Sequence, residues 1–347
     1  MKLKQIVIGI VGIGLLVLAY FSYYVYSVML TPNTAFNAKE AFIFIPTNAS
    51  YGQVRTDLEP LLLDLHTFDA LAKQKKYTTN VKAGRYRIAK GMTNNDIINS
   101  IRSKNWPVTV AFNNQHSLSN LAQRVSAQIE ADSMSLMAVF TDKDFLNSNG
   151  FELQTALTMY LPNSYEFFWN SSALTFRDRL LKYYKTFWNP DRLSKAKSIG
   201  LSPVEVSILA SIVQEETKQS SEQPRVAGVY INRLKNNWAL QADPTLKYAA
   251  YQTNEYKNKI IKRVLNKHKR IDSPYNTYLY KGLPPGPIAM PDLQAIDAVL
   301  SYEKHHYFYF AADFERPGFH RFAKSLSEHN RNAKRYQNYL NRKGVRN

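Results

Sequence analysis

Between Ile6 and Tyr26 the chain runs for 21 residues without a charge, and this stretch narrows the possible folds more than any other. At a helical rise of about 1.5 Å per residue the run spans roughly 30 Å, the thickness of a bilayer's hydrocarbon layer. Lys2 and Lys4 precede it, and Tyr20, Tyr23, Tyr24 and Tyr26 crowd its far end. Cations before the span and tyrosines after it predict a cytoplasmic N-terminus and an outer location for everything beyond about residue 30. A cleaved signal peptide would have a shorter apolar core and a small-x-small site, and no such site precedes the tyrosines. A retained single-pass anchor is therefore expected, with a cytoplasmic tail over residues 1–5, a transmembrane helix over 6–28 and a polar spacer over 29–40.

Beyond the spacer the pattern is α+β in two parts, a small domain over 41–105 and a larger one over 106–342. "AFIFIP" reads as a strand ending at Pro46, and the apolar spacing of Val54, Leu58, Leu61, Leu62 and Leu65 predicts a helix from Ser50 to about Leu65. "KAGRYRIAKGMTNNDIINSIRS" reads as a strand, a turn at Gly91 and a helix opened by Thr93. "NWPVTVAFN" is a connecting strand into the larger part, where helices are expected over about 173–188 and 202–217. Tyr160, Tyr165, Phe167, Phe168 and Trp169 are either core residues or flat faces for stacking sugars.

Composition limits the chemistry. Forty-five Lys and Arg against 27 Asp and Glu give a net charge of +18, which suits a polyanionic partner, but an outward-facing domain excludes nucleic acid. With no cysteine there is no disulfide, thiolate metal site or Cys nucleophile. The phosphate-cradling, zinc-protease and serine-elbow signatures are all missing. His305, His306, His320 and His329 lack acids at ligand spacing, so no metal is expected, although His320 and His329 could line a pocket. "HHYFYFAAD" (305–313) alternates as a strand backing a site would.

Two adjacent acids stand out. Ser202, Pro203 and Glu205 mark a helix start near Pro203, with a capping Ser, Pro at the first helical position and Glu three residues after the cap. At about 100° per residue, Val204, Ile208, Leu209, Ile212 and Val213 share a face whose centre lies within roughly 30° of Glu216. Glu215 lies about 70° away and Gln214 almost opposite. A carboxyl aimed at apolar surroundings loses hydration and holds its proton toward neutrality, as a general acid must. A structural Glu paired with a buried cation would show the same pattern. Downstream, a helix from Arg225 to about Leu234 leads into a turn dense in polar groups: Asn232, Arg233, Gln241, Asp243 and Thr245. "YNTY" then precedes a loop from Gly282 to Pro291 with four prolines and two glycines, stiff enough to wall a groove.

"ASIVQEET", "VYINRL", "LQADPTLKYA", "YNTYLYKGLPPGPIAMP", "YFYFAAD" and "SLSEHN", in that order, resemble the signature segments of the endolytic murein transglycosylases of the YceG-like (MltG) type. "LPNSYEF" and "KAGRYRI" resemble segments upstream in the same family. The resemblance implies a protein of the bacterial inner membrane with an extracytoplasmic catalytic domain and a LysM-like small domain that binds glycan. Its activity would cleave peptidoglycan strands internally between N-acetylmuramic acid and N-acetylglucosamine, leaving 1,6-anhydro ends, without a cofactor or metal. Peptidoglycan synthases are the candidate protein partners. In the family's "EKET" segment the second Glu is the acid, which here is Glu216; Gln214 replaces the first Glu, and Asn163 stands where "PDTY" carries an Asp. Candidate substrate-binding residues are Gln241, Asp243, Tyr275, Asn276, Asn232 and His320. The competing expectation is a membrane-anchored peptidoglycan-binding scaffold in which Glu216 is structural.

Overall fold

In the computed structural model of the protein the N-terminal apolar run forms one unbroken helix, α1 (Lys2–Met29). The structure describes residues 2–257, 259–261 and 264–343; Met1 and the side chain of Lys2, both in the expected cytoplasmic tail, lie outside them. No part of the most apolar 18-residue window of α1 is buried by protein, and by length and composition the helix is able to cross a membrane. Contacts divide the chain into two compact units. The first holds residues up to 110 together with 126–131 and 165–172, and the second holds 111–125, 132–164 and the chain from 173 onward.

In the first unit β1 (Glu40–Ile45) pairs antiparallel with β2 (Gly84–Ala89), Ile43 lying opposite Tyr86. Period-2 alternation along β2 sends Tyr86 and Ile88 into a core shared with α2 (Tyr51–Leu58), α3 (Leu65–Gln74) and α4 (Asn94–Ser103). The helix expected from Ser50 to Leu65 is broken. Pro60 falls in a short 3-10 turn, and Asp64 opens α3 by accepting hydrogen bonds from the main-chain N of His66 (2.8 Å) and Thr67 (3.2 Å). Gly91 takes the left-handed φ of 81° that the turn requires, and Thr93 and Asp96 form a reciprocal capping box on α4. A buried amide pair anchors the foot of α1: Asn33 Nδ2 donates to Asn94 Oδ1 at 2.6 Å, and Asn94 Nδ2 donates to the Val28 carbonyl at 2.9 Å. The strand read in "NWPVTVAFN" is β3 (Pro107–Phe112), which pairs with β4 (Asn163–Phe168). Of the aromatic cluster, Tyr160, Tyr165 and Phe167 are core residues; Phe168 is exposed, and Trp169 meets Phe44 edge-on at 5.2 Å.

The second unit is mostly helical. Its first helices are α5 (Leu118–Ser126), α6 (Ser133–Phe140), α7 (Lys143–Ser148), α8 (Ala173–Phe187) and α9 (Pro190–Ile199). Then come α10 (Pro203–Glu216), α11 (Gln223–Lys235), α12 (Asp243–Tyr251) and α13 (Leu293–Leu300). A hairpin of β5 (Tyr309–Ala312) and β6 (His320–Ala323) precedes α14 (Leu326–Arg342). β5 is shorter than the strand expected over 305–313.

α10 starts where its punctuation says. Ser202 Oγ accepts from Glu205 N (3.2 Å), and Glu205 Oε2 accepts from Ser202 N (2.7 Å). One expectation is corrected: α10 has no single buried face. Every residue from Val206 to Gln214 is buried, because α11, α12 and α13 all pack against it. Glu216 is therefore placed by ending the helix inside the unit rather than by lying on an amphipathic stripe. The polar side chains of α10 also hold the proline-rich loop, since Ser211 Oγ accepts from Ile288 N (3.1 Å) and Gln214 Oε1 from Asp292 N (2.6 Å).

Candidate active site

The last residue of α10 is the centre of the site. Glu216 Oε2 accepts a hydrogen bond from Tyr230 Oη at 3.2 Å, and Tyr230 is fully enclosed on α11. One turn further along α11 sits Arg233, buried but bonded to carbonyls rather than to an acid; its Nε donates to Phe308 O at 2.8 Å. At the start of α12 Asp243 accepts from Tyr278 Oη at 2.8 Å, and His320 arrives on β6.

These neighbours set the acid's charge. Burial pushes the Glu216 carboxyl up to about 7, and the Asp243 charge adds to the rise; His320, the Tyr230 hydrogen bond and Arg233 oppose it. The residue is only partly buried while its carboxyl is deeply surrounded, so it can meet a ligand with little water around it. Glu215, one step round the helix, instead pairs with exposed Lys218 at 3.1 Å. It lines a cavity of about 140 Å³ with His116, Lys247, Tyr248 and Ile288. A larger cavity of about 1020 Å³ lies at the far end of α10, bordered by Tyr184, Ser202, Glu205 and Pro284, and does not include Glu216. Among the described residues, Glu216 combines depth, a raised carboxyl and converging polar groups, which makes it the candidate for chemistry.

The structure separates the other sequence candidates. Asp243 and His320 join Glu216 in one electrostatic cluster. Gln241 is exposed at the edge, its backbone held in the left-handed region (φ 49°) with its N donating to Thr277 O at 3.0 Å. Tyr275 packs its ring at 4.6 Å from Tyr248. Two candidates have their side-chain amides engaged within the chain. Asn276 is fully buried, with Nδ2 donating to the carbonyls of Lys269 (3.1 Å) and Ile271 (2.8 Å) and Oδ1 accepting from Tyr278 N (3.0 Å), so both of its donors are spent inside the chain. Asn232 Nδ2 is similarly spent on the carbonyls of His305 (2.9 Å) and Tyr307 (3.0 Å). Both amides hold the segments that carry the site.

Sequence reasoning passed over Tyr230, Tyr278 and Glu222, and noted Arg233 without placing it. Tyr230 and Arg233 are three apart on one helix and so share a face, a usable signal. Glu222 had none, because its partner His320 is 98 residues away. Burial alone would raise the Glu222 carboxyl, but hydrogen bonds from His320 and Thr217 outweigh it and hold the group below the usual carboxylate range.

Comparison with known proteins places this architecture. The chain is 28% identical over 322 residues to the endolytic murein transglycosylase of Bacillus subtilis (strain 168), covering 87% of this chain and 86% of that protein. It is 27% identical over 349 residues to the endolytic murein transglycosylase of Streptococcus pneumoniae serotype 2 (strain D39), covering 92% of this chain but only 62% of that protein. A solved YceG-like protein of Listeria monocytogenes matches with a TM-score of 0.56 at 25% identity, covering 84% of this chain and 98% of that one. The profile of the YceG-like family matches residues 43–335, from β1 into α14. With well over half of its length matched, the chain belongs to the YceG-like family.

Proposed function

We propose that this protein is a membrane-anchored lytic transglycosylase that cleaves peptidoglycan glycan strands internally. The observation that carries the reading is the deep carboxyl of Glu216, raised to about 7 and therefore still able to give a proton near neutrality. The relatives named as endolytic murein transglycosylases supply the substrate class. In this reading Glu216 protonates the glycosidic oxygen as its bond to the muramic anomeric carbon breaks. The sugar's own 6-hydroxyl then attacks that carbon, and its proton restores Glu216, closing a 1,6-anhydro ring without water. One carboxyl thus does the work that ordinary glycosidases divide between two. Because the acid form is needed, cleavage should fall as pH rises through about 7; a rate flat from about pH 6 to 9 would contradict the role of Glu216.

The partial exposure of Glu216 as a residue and the polar groups converging on it favour catalysis over a scaffold with a structural acid. We place the second unit outside the cytoplasmic membrane, on the strength of the tyrosines at the outer end of α1 and the lysines before it. Protease added to intact spheroplasts should then digest the chain beyond residue 41, and full protection would reverse the orientation. The β1–β2 pair with α2, α3 and α4 is read as a LysM-like glycan-binding module. Deleting 41–105 should weaken retention on murein sacculi more than cleavage of short soluble strands; unchanged retention would leave it a spacer. Peptidoglycan synthases are the partners this location would offer.

A further inference from the structure

Glu222 lies in the short turn between α10 and α11 and has no part in the proton transfer just described. Its side chain is 4% exposed, and both of its oxygens are spent on one distant residue. Oε1 accepts from the main-chain N of His320 at 2.8 Å and Oε2 faces His320 Nδ1 at 2.7 Å; Thr217 Oγ1 adds a third donor at 3.3 Å. The main-chain N of His320 and Thr217 Oγ1 both donate to this carboxylate, which is held in its ionised form and so only accepts; facing it at 2.7 Å, Nδ1 must carry a hydrogen. The ring plane is fixed as well. Phe310 stands edge-on to His320 at 5.0 Å and edge-on to Tyr230 at 6.0 Å, and Tyr230 holds Glu216. Thr217 closes the circuit as the residue after Glu216. His320 Nε2 has no hydrogen-bond partner among the described residues, and its side chain keeps 16% exposure.

We propose that Glu222 is a positioning residue acting through His320: its two-point clamp fixes the Nδ1–H tautomer of the neutral ring, leaving Nε2 as a bare acceptor for a hydroxyl of the sugar bound at Glu216. A hydroxyl held by Nε2 has its oxygen lone pairs oriented by the protein rather than by water, and no bond is made or broken at the imidazole. This role rests on the transglycosylase reading, whereas the clamp itself does not. A Gln at 222 offers one acceptor oxygen for the two donors and turns its own NH₂ toward the other, so the clamp cannot survive the substitution.

The test uses the full chain in detergent micelles with ¹⁵N-labelled histidine, at about pH 8.5, above the ordinary histidine range. The His320 resonance is assigned by its loss in His320→Gln. The parent should show His320 with Nδ1 protonated and Nε2 bare, and Glu222→Gln should show mixed tautomers. On soluble glycan strands kcat should fall roughly tenfold in Glu222→Gln, the worth of one well-placed hydrogen bond, with KM within about twofold. An Nε2–H tautomer in the parent overturns the proposal, as does a folded Glu222→Gln with unchanged tautomer and kcat. Should that variant fail to fold, His320→Gln decides: kcat falls if Nε2 meets the sugar and stays at the parent rate if the ring only packs. A parent that shows the clamped tautomer but cleaves no glycan would refute the transglycosylase reading and, with it, the substrate role of Nε2, while the clamp stands.

Discussion

Glu216→Gln is expected to give a folded protein that cleaves glycan strands roughly 10² to 10⁴-fold more slowly than the parent, the usual worth of a general acid. The amide keeps the size of the side chain, and its oxygen still accepts from Tyr230, so packing at the end of α10 is preserved. Only the transferable proton is lost. Stability should move the other way. The folded carboxyl holds its proton up to about 7 against an ordinary 4.5, so between those values the folded state binds more protons than the unfolded state. Stability conferred by the protonated acid is complete below about 4.5 and is lost as pH rises through about 7, a change of about 3 kcal/mol. Gln has no charge to bury, so the variant should melt higher than the parent above about pH 7. A structural acid would do the reverse, because its removal would strand a partner and lower the melting temperature. Glu215→Gln, which only releases Lys218 at the surface, should change neither rate nor melting appreciably.

Asn276→Ala should show the second-largest effect, and on stability first. The substitution strands the carbonyls of Lys269 and Ile271 and the main-chain N of Tyr278, all bonded by one buried amide. Unpaired buried groups of this kind total roughly 3 kcal/mol, which for a unit of this size lowers the melting temperature by about 10 °C. Activity follows indirectly, since Tyr278 sits two residues on and its hydroxyl holds Asp243. A residue that touched sugar would instead raise KM and leave melting unchanged. Calorimetry beside kinetics separates the two, and unaltered melting with a raised KM would return Asn276 to the groove.

Local chemistry made much of this fold legible. Ser202, Pro203 and Glu205 located the start of α10, and Gly91 with Thr93 located the turn and cap before α4. Where the sequence misled, a competing physical signal was present. Pro60 and Asp64 cut the expected helix in two, although the leucine spacing runs on across the break. α14 was passed over because none of its residues is buried and its apolar positions are sparse. α10 suggested one buried face, but its smaller residues Ser207, Ala210 and Ser211 are enclosed too, a fact its neighbours decide.

The candidate site divides in the same way. Glu216 was readable because it ends an apolar helix, and Asp243 because it falls in a stretch dense in polar groups. Asn276 in its loop and Asn232 near the end of α11 looked like ligands because a polar side chain gives no sign in the sequence of whether its bonds are already taken. Glu222 and His320 meet only in the folded chain, and no local pattern foretells a clamp across 98 residues.

The most direct measurement of the central claim is the mass of the strand ends released from purified peptidoglycan by the parent protein and by Glu216→Gln. Ring closure by the 6-hydroxyl leaves each new muramic end one water lighter than hydrolysis would. The parent should release anhydro ends throughout the strands, and the folded Glu216→Gln should release almost none. Reducing ends from the parent would mean that water attacks, with Asp243 then the natural second carboxylate; anhydro ends at the parent rate from Glu216→Gln would remove Glu216 from the reaction.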